Sequence, residues 1–278
     1  MAVAAPGRLR REIPPSVRNN PLTTPLPRPS VRSILIGAVT VTVIVWAWRG
    51  TGITFGALVE GLPGMADFVS RLFPPNWAAA EGAVGPLVET VQMAIIGTLI
   101  AVVIALPLCL LAAANVSPHP LVYQAFRVVL NVGRTIPELV LALAFVAAVG
   151  LGAFPGTLAL GLHSVFSLSK IFAESIEAIS PRPVEAVVAA GATRSQTIAF
   201  AVLPQALPTM LSYVLLYWEH NIRAATVLGL VGAGGIGFEI QVAMRLFQYG
   251  DLTTYVLMLV ATVTVIDRAS AWLRARVT

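Results

Sequence analysis

The chain has 278 residues, of which 57% are hydrophobic and 11% charged, and its net charge is +5. Soluble proteins carry about 25% charged residues, so the composition excludes a soluble globular domain and indicates a membrane protein. Its cations are arginines dispersed between apolar runs, with Lys170 the only lysine, and this excludes the contiguous basic face of a nucleic-acid binder.

Residues 1–32 are rich in Pro and Arg and poor in side chains that pack, which predicts a disordered cytoplasmic tail. A cleaved signal peptide would place its apolar core close behind the first charges. Here the first apolar run begins at Ser33 and ends in Trp46 and Trp48, an interfacial anchor for a first span. Two short apolar pieces follow, 56–59 and 65–73, closed by Pro74 and Pro75. With about 20 apolar residues needed to cross a bilayer, they are expected to lie as interfacial helices at the outer surface. Further spans are expected at 86–114, interrupted by Pro107, then 135–152, 157–179, 209–229 and 252–272, with a turn at 153–156. This makes an all-α membrane protein of about six transmembrane helices, the permease domain occupying 33–278. Cys109, the only cysteine, falls inside an apolar run and is expected to be a small buried hydrophobe.

Six spans place both termini on one side. On that side lie the six arginines of the tail, Arg127 and Arg134, Arg182 and Arg194, and Arg268, Arg274 and Arg276; the other side has Arg49, Arg71 and Arg245. The bias predicts cytoplasmic termini and a cytoplasmic 181–208 loop.

That loop reads PRPVEAVVAAGATRSQTIAFAVLPQALP. Its prolines, its central glycine and its short apolar periodicity predict a helical hairpin, with a turn at Gly191 and an end of the second piece at Pro204. A hairpin of this kind between two spans can be gripped by a partner protein.

Ionisable residues inside spans are the sharper functional signal, since each costs at least about 2.5 kcal/mol in lipid. Arg223 has Glu219 four residues before it, and Lys170 has Glu174 four residues after it; i,i+4 pairing would make both cations structural. Polarity concentrated in Glu219, His220, Asn221 and Arg223 also suits an anion path, with Arg223 as attractor and Asn221 and His220 as donors. Residues 219 and 220 point in different directions, so not all of them can line it. Thr135 and Glu138 fit a capping box opening the third span, and that helix start is a second place to hold an oxyanion. The only lysine lacks the context of a nucleotide-binding P-loop. The run from Gly232 to Gly237 lacks the preceding strand of a dinucleotide fold and reads as a flexible or re-entrant outer turn. His119, His163 and His220 are too dispersed in sequence to imply a metal site, and none is expected.

Glu185, Ala186 and Gly191, followed by Leu203 and Pro204, resemble the EAA loop of ABC importer permeases. Val187 and Ala201 stand where that pattern has Ala and Ile. The resemblance extends over roughly residues 60–272 through Ser70–Pro75, Arg134–Val140, Arg182–Ala186, Leu203–Gln205 and Val231–Gly237, which together are similar to the permease subunit of phosphonate-type importers (PhnE-like).

The resemblance implies the type I ABC importer permease fold in the plasma (cell inner) membrane and a non-catalytic transport subunit. Glu185, Ala186, Gly191, Ala192, Leu203 and Pro204 would contact a cytoplasmic ATPase subunit, which holds ATP and Mg²⁺, so this chain binds no cofactor. An extracytoplasmic substrate-binding protein would deliver a phosphonate, phosphite or phosphate, and a second copy of the chain would complete the path within the lipid. The substrate path would draw on Arg223, Asn221, His220, Glu219, Lys170, Thr135 and Glu138. The rivals are a permease for methionine or another small solute, and a secondary carrier or channel that needs no ATPase.

Overall fold

The computed structural model describes residues 30–52 and 54–277, and the chain divides into two compact units, residues 1–65 and 66–278. The expected tail lies outside the described residues up to position 29. Its last residues are helical instead: Ser30 caps helix α1 (Val31–Gly50) by accepting from the Arg32 amide. No α1 residue is buried, and its hydroxyls turn inward along the helix, Thr40 to the Ile36 carbonyl at 2.9 Å and Thr42 to the Ala38 carbonyl at 2.8 Å. A helix in lipid must satisfy its polar groups internally, and these back-bonds do so. The two interfacial pieces form one helix, α2 (Phe55–Arg71), with Pro63 inside it.

In the second unit a short 3₁₀ turn at Trp77–Ala79 leads into α3 (Ala80–Ala112), and neither Pro86 nor Pro107 interrupts it. Residues 115–134, expected to be a loop, are mostly helical: α4 (Pro120–Gly133) starts at a proline, the position where a missing amide costs nothing. After a break comes α5 (Glu138–Val149), bent by 81° from α4, the geometry of a broken span or of a re-entrant loop. The expected 153–156 turn sits earlier, at residues 150–152. Gly150 and Gly152 there have φ of 104° and 131°, and α6 (Ala153–Glu177) starts immediately after.

Beyond it stand α7 (Pro181–Ala189), a single turn α8 (Arg194–Thr197), a π-helical stretch Ile198–Val202, then α9 (Leu203–Gly229), α10 (Ile236–Arg245) and α11 (Tyr249–Val277). Pro204 was expected to end a piece; it begins one. It falls in the first turn of α9, and the wider π stretch before it absorbs the lost hydrogen bond. By length and composition, five helices can cross a membrane, or six with the broken pair.

Small residues set the packing. A Cβ on Gly97 of α3 would lie 3.1 Å from Leu160 Cβ, and one on Gly161 of α6 would lie 3.2 Å from Ile100 Cγ2. Such glycines let helix backbones approach where no hydrophobic effect pulls helices together. Cys109 is fully buried in the apolar cluster formed with Leu168, Phe172 and Met210.

At the end of α9 the chain reverses through Gly232, Gly234 and Gly235, all with φ between 70° and 85°. The Ile236 amide donates to Thr90 Oγ1 at 2.8 Å and the Gly235 amide to Glu89 Oε2 at 3.2 Å, so α3 side chains satisfy the first amides of α10.

Candidate functional site

Two regions stand out: the hairpin before α9 and a belt of polar residues at the middle of the helices. In the hairpin, α7 presents Glu185 and Ala186 to the outside and turns Val184 toward the core. The turn closes with the Gly191 amide on the Val188 carbonyl at 2.9 Å and the Ala192 amide on the Val187 carbonyl at 3.3 Å. Gly191 has φ 85° and open space around it, so the requirement for glycine is conformational and not steric. Thr193 and Gln196 then form a capping box that starts α8. Pro204 is exposed, while Ala192 and Leu203 are half-buried at the base of the hairpin.

A dense net ties the hairpin's neighbours together. Arg194 donates to the Val116 carbonyl. The Asn115 amide reaches the Ile176 carbonyl at 2.8 Å, and Arg127 donates to the Ala112 carbonyl at 2.8 Å and to Glu177 at 2.6 Å. The ends of α3, α4 and α6 are therefore stapled to the segment that carries α7.

The polar belt lies at the depth where Asn221 of α9 meets α3 and α6. Asn221 is buried, accepting from Ser164 Oγ at 3.0 Å and donating to Thr98 Oγ1 at 2.9 Å. It locks three helices, so the amide expected to serve as an anion donor is buried and bonded within the chain. The i,i+4 pairing of Glu219 with Arg223 is also absent. Glu219 is buried against Arg274 of α11, and Arg223 binds Asp267 of α11 at 3.0 and 3.2 Å. Residues four apart in a helix can meet, but here α11 supplies a closer partner to each. Arg223 remains half exposed, with its side chain 50% accessible. Lys170 approaches Glu174 at 3.9 Å, but its shorter contact is with Asn131 Oδ1 on α4 at 2.7 Å.

The break between α4 and α5 lies in the same belt. The expected capping box does not form: Pro137 is the cap residue and gives no side-chain bond, and the Thr135 hydroxyl turns back to the Val132 carbonyl at 2.7 Å. Glu138 is left as the first residue of α5, half-buried, with its carboxylate 3.7 Å from His163 Nε2 of α6. Glu138, His163 and exposed His220 each place a ligand atom within 4.8 Å of the other two. The sequence spacing of the histidines concealed this meeting. His163, Asp267, Asn131 and Arg274 had no local signature either; the Thr-Ile-Pro-Glu break was the visible clue to where Glu138 meets His163.

Among the described residues, helices that pack through glycine, five or six of them able to cross a membrane, and an exposed hairpin between two long apolar helices define a multi-pass helical membrane protein. Residues 105–278 match the sequence model of the family described as "Binding-protein-dependent transport system inner membrane component", and the chain belongs to that family. It is 48% identical over 217 residues to the phosphite transport system permease protein PtxC of Stutzerimonas stutzeri, covering 78% of this chain and 79% of that one. It is 35% identical over 269 residues to the phosphate-import permease protein PhnE of Mycolicibacterium smegmatis, covering 96% of this chain and 50% of the other. Among solved structures, the inward-facing MetNI methionine ABC transporter superposes with a TM-score of 0.60 at 22% identity, over 68% of this chain and 93% of that one. An amino acid ABC transporter superposes with a TM-score of 0.58 at 17% identity, over 81% and 99%. These two establish the fold alone.

Proposed function

We propose that the chain is the translocation subunit of an ATP-driven importer of phosphorus oxyanions: phosphite, phosphonate or phosphate. The observation that carries the substrate class is the 48% identity to a phosphite permease along most of both chains. Methionine permeases are more distant, at 28% identity over 159 residues for that of Pasteurella multocida. A carrier working without an ATPase would have no use for the exposed hairpin.

Two copies form the path within the plasma membrane, both termini cytoplasmic, as the arginine distribution supports. The 181–208 loops dock cytoplasmic ATPase subunits through Glu185, Ala186 and Gly191, with Ala192, Leu203 and Pro204 holding the hairpin's base. ATP and Mg²⁺ belong to those subunits. An extracytoplasmic binding protein delivers the solute, and closure of the ATPase dimer switches the spans between inward- and outward-facing states. Charged side chains exposed on one copy at mid-depth cannot face lipid cheaply. Arg223, His220, Lys170, Thr135 and Glu138 accordingly line the path or the contact between copies, while Glu219 and Asn221 act from within as supports.

The test is ATP-dependent uptake of radiolabelled phosphate by vesicles containing the chain with its ATPase and binding protein. Competition by phosphite and methylphosphonate is expected. Competition by methionine alone would refute the substrate class and leave the fold and coupling intact.

A further inference from the structure

His163 presents a constraint of hydrogen-bond chemistry. Its Nδ1 lies 3.1 Å from the Ile136 carbonyl, and a carbonyl only accepts, so Nδ1 carries the proton. In the neutral ring that bond turns the Nε2 lone pair toward Glu138 Oε2 at 3.7 Å, setting an acceptor against an acceptor. His220 brings a third ligand atom into the same space, all three lying within 4.8 Å. Lone pairs gathered in this way are stable only around positive charge. A histidine whose far nitrogen is anchored on a backbone carbonyl is also the arrangement by which proteins orient metal ligands.

We infer that Glu138, His163 and His220 form a binding site for a divalent first-row transition ion, for which Zn²⁺ is the best fit. Two imidazoles and one carboxylate suit this class and not Mg²⁺ or Ca²⁺, which prefer all-oxygen shells. Ligand atoms around tetrahedral Zn²⁺, with bonds of about 2.0–2.1 Å, stand about 3.4 Å apart. Closing from separations of up to 4.8 Å requires a shift of at most about 1.4 Å, shared between the exposed His220 ring and the half-buried Glu138. Three protein ligands leave a fourth position open on the exposed side, where water or an anionic oxygen completes the shell. The site also explains why a carboxylate and two imidazoles converge beside the Asn221 lock, at the break between α4 and α5: α5 supplies the carboxylate from its first turn, the Ile136 carbonyl freed by the break orients His163, and α9 closes the third side.

The experiment uses the full-length chain, purified in detergent micelles with any affinity tag removed, and titrates it with Co²⁺ as a spectroscopic stand-in for Zn²⁺. Expected are the visible d–d bands of nitrogen- and oxygen-bound tetrahedral Co²⁺ at one ion per chain, bleached when Zn²⁺ displaces it. His220→Ala, on an exposed side chain that leaves the fold intact, and Glu138→Gln, which keeps the shape, should each weaken binding at least about tenfold. His119→Ala, outside the cluster, should bind as the parent does. Absence of the bands in the parent chain, or equal binding by the parent and the His163→Ala/His220→Ala double variant, would overturn the assignment and leave a shared proton as the charge between Glu138 and His163. These readouts are independent of which solute is transported.

Discussion

The pair of Glu219 with Arg274 offers the clearest quantitative test of how the helices are held. The Glu219 side chain is 9% accessible and that of Arg274 24%, and Arg274 also donates to Ser270 Oγ at 2.9 Å on its own helix. Substituting Arg274→Met removes the cation and leaves a carboxylate almost fully enclosed between α9 and α11. Uncompensated buried charges of this kind cost about 3–5 kcal/mol. Glu219→Gln should cost less, about 1.5–3 kcal/mol, the worth of a hydrogen bond to a charged group. The amide still accepts from the guanidinium, which lies near the end of α11 and can extend toward the interface. Combining both changes should restore much of the loss, because an uncharged pair carries no desolvation cost. Denaturant unfolding of the purified chain in micelles, run as a double-mutant cycle, measures all three. If Arg274→Met falls within about 1 kcal/mol of the parent and the two changes simply add, the pair is not the buried clasp described, and Glu219 must find its charge balance elsewhere.

Gly237→Ala should destabilise by about 3 kcal/mol or more, because its Cβ would sit 1.9 Å from the Thr226 carbonyl oxygen, a backbone atom that cannot swing aside; thermal unfolding in detergent checks it. Glu185→Lys should leave membrane levels and unfolding temperature unchanged, since Glu185 is exposed and without an internal partner among the bonds described, while abolishing co-purification of the ATPase and uptake together. Normal uptake would remove Glu185 from the docking surface. Arg223→Ala should lose anion uptake, whereas Asp267→Asn, which releases Arg223 from its partner, should retain it; equal loss in both would make the pair a structural bond between α9 and α11 and not part of the path.

Composition and apolar run length made the membrane class and the approximate spans legible, because lipid imposes its thickness on any sequence that crosses it. The hairpin was legible for a local reason. Gly191 at positive φ and the Thr193–Gln196 box are features of a few consecutive residues. Pro204 misled because proline both ends and begins helices, and only the π stretch before it shows which. The Lys170–Glu174 pair forms as its spacing predicts, but the Glu219–Arg223 pair was misread for a different reason. Glu219 and Arg223 satisfy a helical spacing rule, but partners 55 and 44 residues away on α11 occupy the same space. Asn221 was read as a path residue from its polar neighbours along the chain. Its role was fixed by Thr98 and Ser164, which no sequence pattern connects to it.

The placement of the polar belt bears on how movement of the hairpin would reach the path. Arg194 binds the last turn before α4, Asn115 binds α6, and Arg127 joins α3, α4 and α6 through the Ala112 carbonyl and Glu177. These bonds hold the neighbouring ends of α3, α4 and α6 and the Arg194 segment together, so the four would move as a body. α9 is joined differently, through the π stretch at Ile198–Val202 whose wider turn can take up strain, and it is tied to α11 by two ion pairs. α9 is not free of that body, since buried Asn221 bonds Ser164 of α6 and Thr98 of α3, and the neighbouring His220 is thereby held beside His163 and Glu138.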